Sequence, residues 1–297
     1  MTSTCVIETH ALSKSYGRVE AVRGVSLSVK SHQITAFLGL NGAGKSTTIK
    51  MLLSMIRPSG GSGQVLGKSI DDAKDSVHLR GQVAYVSENK QLYGYMTVEQ
   101  MIRFTRSFYS DWRVDIERRL LSTYELPLTR KVASLSKGMR TKLALLLAFA
   151  RQPKLLILDE PSEGLDPLGI EQMLESLVAQ CSEGTTIFFS SHQIPEAERV
   201  ADQVCILHRG RLVLDSSLDD IRQSYRQLEL VFLTVPEESS VRVAGVESIR
   251  TVGRQMRVVV SGNADLLIER AHDLHASSVE VTPVGLREVF METVKGK

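Results

Sequence analysis

Four short stretches of this chain are apolar without alternation: Ile34 to Leu38, Val83 to Val86, Leu155 to Leu158 and Thr186 to Phe189. Unbroken apolar runs bounded by turn residues predict strands covered on both faces, as in a parallel sheet flanked by helices. Between the second and third runs the period changes. From Thr97 to Arg151, Met101, Phe104 and Phe108 recur at helical spacing, Leu120 and Leu121 continue the pattern, and LALLLAFA closes it. A helical insertion at about 96–151 in an α/β sheet is the expectation. The tail reads as a strand (LELVFLTV), a second strand (MRVVVSG), a helix (ADLLIERAHDLH), a third strand (SVEVTP) and a closing helix (GLREVFMETVK). That order predicts a small α+β domain at 226–297, after a first domain at 1–225, joined through the polar stretch SSLDDIRQSYRQ. The glycine-rich GGSGQVLG from Gly60 lacks the spacing and the following helix of a dinucleotide loop and predicts a surface turn. No internal repeat or low-complexity segment interrupts the pattern.

Composition narrows this picture. A chain of 297 residues with 42% hydrophobic content supports two globular units. Lys plus Arg number 36 against 34 for Asp plus Glu, and the net charge of +2 is too small to make nucleic acid or an anionic membrane the main partner. Cys5, Cys181 and Cys205 are odd in number and widely spaced, which predicts reduced, core-packed thiols in a cytosolic protein. The longest apolar run, Leu143 to Ala150, is far shorter than the roughly twenty residues of a membrane span, and MTSTCVIETH has no signal-peptide pattern.

Chemistry concentrates in a few motifs. Gly39 to Ser46 reads GLNGAGKS after the strand ITAFLGL, satisfying G-x-x-x-x-G-K-[ST]. Its glycines let backbone N–H groups turn toward a phosphate chain, Lys45 can reach the β and γ phosphates, and Ser46 can place its hydroxyl on Mg²⁺. LLILDEP ends a strand in two carboxylates, so Asp159 can enter a Mg²⁺ shell while Glu160 polarises a water aimed at the γ-phosphate. His192 closes the strand TTIFFSSH and can bond the γ-phosphate or that water. ASLSKGMRTKLA places Ser136, Lys137 and Gly138 at a helix start, a second candidate anion site far along the chain from the first.

Taken in order, the P-loop, ASLSKGM, LLILDEP, EGLDP and SSH resemble the ATP-binding subunit of an ABC transporter, over about Ile7 to Asp215. The resemblance implies a P-loop NTPase fold, the ABC ATPase cassette, with a mixed sheet core and a helical subdomain. It also implies ATP and Mg²⁺, with Gly39, Asn41, Gly42, Ala43, Gly44, Lys45, Ser46 and Thr47 holding nucleotide. Leu135 to Met139 match the LSGGQ signature, Ser162 to Pro167 match the D-loop with Asp166 its aspartate, His192 matches the switch histidine, and Tyr16 in KSYG matches the tyrosine that stacks on adenine. Stacking suits an aromatic face as well.

Two motifs depart from the family pattern. Lys137 and Met139 stand where Gly and Gln are usual, while Ser136 and Gly138 are kept. Glu88 follows YVS where the Q-loop glutamine would fall; a carboxylate still offers oxygen to Mg²⁺ or its waters but adds negative charge. Glutamate there resembles a subset of exporters of the ABC-2 type, whose membrane subunits are separate chains and whose ATPases carry a C-terminal accessory domain. In the closing helix Leu286, Val289, Phe290 and Val294 share one face, open to either packing or a dimer contact. The resemblance implies a head-to-tail homodimer around two ATPs, Lys45 of one chain opposite Ser136 of the other. It further implies export through an integral-membrane permease, with this chain peripheral on the cytoplasmic face of the inner membrane. A soluble ABC ATPase acting on a macromolecular complex is the alternative; such proteins usually carry two cassettes or a long coiled coil, and a basic stripe for nucleic acid is missing. A GTPase would need an NKxD motif, and ENKQ has no aspartate.

Overall fold

The computed structural model describes residues 5–72, 79 and 81–295. Two compact units divide the chain, Met1–Asp215 and Ser216–Lys297.

The first unit holds two sheets. In the six-stranded sheet the order is β11 (Arg211–Ser217), β10 (Gln203–His208), β4 (Ile34–Leu38), β9 (Thr186–Ser191), β8 (Leu155–Asp159) and β7 (Val83–Val86). From β10 to β7 every pairing is parallel, and β4, β8 and β9 are buried throughout. Burial on both faces is why these strands read as unbroken apolar runs. The second sheet is antiparallel and joins β2 (Val19–Val25), β1 (Cys5–Tyr16), β5 (Gly60–Val65) and β6 (Lys68–Ser69), with β3 (Ser28–Lys30) also on β1. One core joins Phe37, Ile157 and Phe188 of the parallel sheet to Ile7, Val29 and Val65 of the antiparallel one, with Ile49 and Met51 of helix α1 (Lys45–Leu52) among them. Each such buried side chain contributes about 1.5–3 kcal/mol of transfer free energy.

The stretch GGSGQV is thus strand β5 and not a surface turn. Its glycines admit close approach: at Gly61, φ +77°, a Cβ would sit 2.3 Å from the Ala11 carbonyl oxygen. A strand built on backbone proximity leaves little side-chain alternation to read.

Helices α2 (Val98–Arg106), α3 (Val114–Thr123) and α4 (Lys137–Phe149) lie in the chain between β7 and β8, which pair directly. Thr97 and Gln100 form a capping box at the start of α2. Along α4 every residue from Leu143 to Phe149 is buried. Helices α5 (Pro167–Ser182) and α6 (Ile194–Val200) follow β8 and β9.

The second unit contains helix α7 (Leu218–Ser224), then strand β12 (Tyr225–Val231), helix α8 (Glu238–Val241), β13 (Val246–Val252), β14 (Gln255–Ser261), helix α9 (Ala264–Asp273), β15 (Ser278–Pro283) and helix α10 (Leu286–Lys295). The sheet order β13-β14-β12-β15, antiparallel throughout, makes β12 to β15 a βαββαβ, ferredoxin-like unit. Leu228, Leu230, Met256, Val258 and Val260 share its core with Leu267 and Ala271. β13 and α8 come in addition to the tail elements that periodicity predicts. The polar stretch SSLDDIRQSYRQ is ordered: Leu218 and Ile221 are buried and α7 packs on α10 and β12, so the division falls at 215/216 rather than at 225/226. In α10, Leu286, Val289 and Phe290 are buried within this unit.

Of the cysteines only Cys205, in strand β10, is a core residue; Cys181 is half-buried near the end of α5, and Cys5 is exposed at the start of β1. Among the described residues no helix is long and apolar enough to cross a membrane.

Candidate active site

The P-loop bridges buried β4 and α1, and its geometry admits only glycine at key points. Gly42 (φ +79°) and Gly44 (φ +107°) are left-handed, and a Cβ at Gly44 would lie 2.5 Å from the Ala21 carbonyl oxygen. At Gly39 a Cβ would meet the Leu207 carbonyl oxygen at 2.5 Å. The loop therefore turns its backbone outward around a cleft of about 320 Å³ lined by Ala21, Leu40 through Thr47, Glu88 and Glu160.

Lys45 and Glu160 meet inside this cleft. The Lys45 Nζ lies 3.1 Å from Glu160 Oε1, both side chains buried, and donates to the Gly39 carbonyl at 2.7 Å. Glu160 follows the end of β8 in a left-handed conformation, φ +48°. Its Oε2 accepts from the His192 backbone N–H at 3.3 Å and pairs with the His192 Nδ1 at 2.8 Å. The Glu160 N–H donates to Ser190 Oγ at 3.1 Å, and that hydroxyl donates to Asp159 Oδ1 at 2.6 Å. Ser190 thus ties the two strand-end carboxylates together. The Glu160 carbonyl accepts from the buried Lys90 Nζ at 3.0 Å. Burial holds the Lys90 ammonium below the usual lysine range, with Glu163 opposing.

Gly39, Asp159 and His192 stand beside the cleft without lining it. Tyr16, Ser136, Lys137, Gly138 and Asp166 do not line it either. Tyr16 is half-exposed at the end of β1, with Lys14 Nζ 5.2 Å from its ring centroid. The other four form a second group. Ser136 caps α4, its Oγ accepting from the Met139 N–H at 3.1 Å, and Asp166 caps α5, its Oδ1 accepting from the Gly169 N–H at 2.8 Å. At Gly138 a Cβ would lie 2.6 Å from the Gly164 carbonyl oxygen, and at Gly164 one would lie 2.7 Å from the Lys137 stem. Lys137 Nζ contacts Glu163 Oε1 at 2.5 Å, and this hydrogen bond holds the Glu163 carboxyl below its ordinary range.

Ser190, Lys90, Glu163 and Glu196 escape sequence reasoning. Ser190 carries a weak signal, its position in SSH; Lys90 and Glu163 pair with residues remote in sequence. Glu196, on α6, is buried and accepts from Ser191 Oγ at 2.9 Å, while burial pushes its carboxyl above the ordinary value.

The groups that the sequence offers to a metal are hard oxygens: the Ser46 hydroxyl and the Glu88 carboxylate line the cleft, and the Asp159 carboxylate stands next to Glu160 at the end of β8. Among the described residues no cluster of three or more His, Cys, Asp and Glu side chains builds a cage. Such a sparse oxygen set fits Mg²⁺, which takes one or two carboxylates and completes its shell with water and substrate phosphates.

A glycine loop between buried parallel strand and helix, facing a strand that ends in paired carboxylates, defines the class as a P-loop ATPase cassette. Residues 22–163 match the family model described as ABC transporter. An uncharacterized ABC transporter ATP-binding protein of Synechocystis is 34% identical over 248 residues, covering 79% of this chain and 69% of that protein. The bacitracin transport ATP-binding protein BcrA of Bacillus licheniformis is 33% identical over 225 residues, 75% of this chain and 73% of the relative. A solved ATP binding subunit of an ABC transporter superposes with a TM-score of 0.66 at 37% identity, covering 73% of this chain and 92% of the other. This chain belongs to the ABC transporter family, as an ATP-binding subunit with an ATPase cassette.

Proposed function

We propose that two copies of this chain close head to tail on two ATP molecules and that the closing and release drive export through a separate integral-membrane permease. The observation that carries this reading is the separation of the two groups: Lys45 and Glu160 meet in the P-loop cleft, with His192 bonded to Glu160 behind them, while Ser136, Gly138 and Asp166 gather around Glu163 and Gly164, outside the cleft lining. Each group is half of a phosphate site, and a second copy supplies the other half.

Within a closed site the P-loop N–H groups and Lys45 hold the β and γ phosphates, and Tyr16 stacks on adenine. Ser46, Asp159 and Glu88 would hold Mg²⁺, which neutralises developing phosphate charge when bound. Glu160 orients and deprotonates the attacking water, and His192 fixes the Glu160 carboxylate while reaching the γ-phosphate. Ser136 and Gly138 of the second copy close over the γ-phosphate, so loss of that phosphate releases the interface. The bacitracin transport relative supports a transport role, and the permease would hold this chain at the cytoplasmic face of the inner membrane. The 216–297 unit is the accessory domain in this reading.

Light scattering on Glu160→Gln with saturating ATP and Mg²⁺ tests the proposal. A stable nucleotide-bound dimer is expected; a monomer of the unaltered chain hydrolysing at full rate at every concentration would overturn it.

A further inference from the structure

One buried cation takes no part in the mechanism above. Lys90 lies in the loop after β7, is 7% exposed, and has a left-handed backbone, φ +40°. Among the described residues its ammonium forms no ion pair. It donates at 3.0 Å to the backbone carbonyl of Glu160, a residue remote in sequence.

Glu160 is itself left-handed at φ +48°, a conformation that crowds the Cβ of an L-residue and persists only where the surroundings over-determine it. Three sets of side-chain restraints act on it. Ser190 Oγ accepts from its N–H at 3.1 Å, Lys45 and His192 grip its carboxylate, and Lys90 grips its carbonyl. Two of these act on the backbone, whose rotation would swing the carboxylate off its line. Among the described residues the carbonyl has one other donor, the Glu163 N–H at 3.3 Å. Removing the Lys90 ammonium therefore loosens the turn without leaving the carbonyl unpaired. Lys90 also lines a separate cleft of about 200 Å³, with Leu92, Met101, Leu147 and Arg151, so one side chain spans from that cleft to the hydrolytic turn.

We infer that Lys90 is a positioning residue for hydrolysis, holding the Glu160 backbone in the left-handed turn that aims its carboxylate. This rests on Glu160 being the base. A carboxylate misplaced by a fraction of an ångström still leaves the phosphate-binding loop intact, so kcat falls while nucleotide affinity stays.

The test measures Mg-ATPase kinetics, affinity for a fluorescent ATP analogue and thermal unfolding for Lys90→Met, Lys90→Arg and Glu160→Gln, and single-turnover rates for Lys90→Met combined with Glu160→Gln. Lys90→Met is expected to lower kcat about 10- to 100-fold with affinity changed less than about twofold, and Lys90→Arg to restore most of the rate. Within Glu160→Gln the same exchange costs nothing further, because it acts through the missing carboxylate. Should Lys90→Met lose cooperative unfolding, Lys90→Gln replaces it. An unchanged kcat, a parallel loss of affinity, no recovery with arginine, or an additive loss within Glu160→Gln would each overturn the role of Lys90. Full activity of Glu160→Gln alone would overturn the reading of the base, and with it this inference.

Discussion

The ammonium of Lys45 lies 3.1 Å from a carboxylate oxygen of Glu160, and both side chains are buried. In the proposed reaction that same ammonium serves the phosphates, so carboxylate and γ-phosphate compete for one cation in a low-dielectric cleft. Glu160→Gln removes the rival charge and the base together. Hydrolysis is expected to fall about 10²- to 10⁴-fold while ATP binds several-fold tighter. Equilibrium titration with a fluorescent nucleotide checks the second half; weaker binding would contradict the competition.

Lys137 replaces a residue that the family pattern leaves without a side chain, and the structure gives it a partner in its own chain. Its Nζ reaches Glu163, and both side chains are partly exposed, which limits such a pair to about 0–1 kcal/mol. Lys137→Met should therefore change ATP affinity less than about fivefold. Gly138→Ala is different in kind. Its new Cβ would stand 2.6 Å from the Gly164 carbonyl oxygen, pushing the signature off the D-loop, and ATPase activity should drop more than about tenfold. Similar losses in both variants would remove the distinction.

What could be read in the sequence was set by whether backbone physics dictates the residue. The P-loop is legible because Gly39, Gly42 and Gly44 occupy points where a Cβ meets a carbonyl or φ is positive. The strands β4, β8 and β9 are legible because burial on both faces suppresses alternation. Strand β13, VESIRTV, packs loosely on one face and carries little periodicity, so its place in the ferredoxin-like sheet emerges only from pairing with β14. Lys90 had no signal at all. Its partner is a backbone carbonyl, which any residue at 160 would offer, and only the fold brings the two together.

If each phosphate site is shared, two inactive chains should repair one another. Lys45→Ala and Ser136→Arg each disable both sites of a homodimer. In a mixed dimer one site pairs the intact Lys45 with the intact Ser136, while the other carries both lesions. Mixing equal amounts of the two variants should restore about a quarter of wild-type activity, as half of random dimers hold one good site. An inactive mixture, with hetero-association verified by differential tags, would place both motifs in separate roles.

Burial holds the Glu196 carboxyl above its ordinary value of 4.5, with the bond from Ser191 working against that shift. Because the folded-state value is raised, the native chain keeps this proton to a higher pH than the unfolded chain does. Between the two values the native state binds more protons, so the slope of stability with pH is negative there. The group's contribution is fully present below the unfolded value and is lost as pH rises through the folded one. Glutamine keeps an oxygen to accept from Ser191 and carries no charge to desolvate. Glu196→Gln should therefore melt at or above the wild-type temperature at pH 8, and the difference should shrink as pH approaches 4.5. Thermal unfolding across that range decides it: a variant less stable than wild type at pH 8 would mean that the Glu196 charge is compensated in the folded chain.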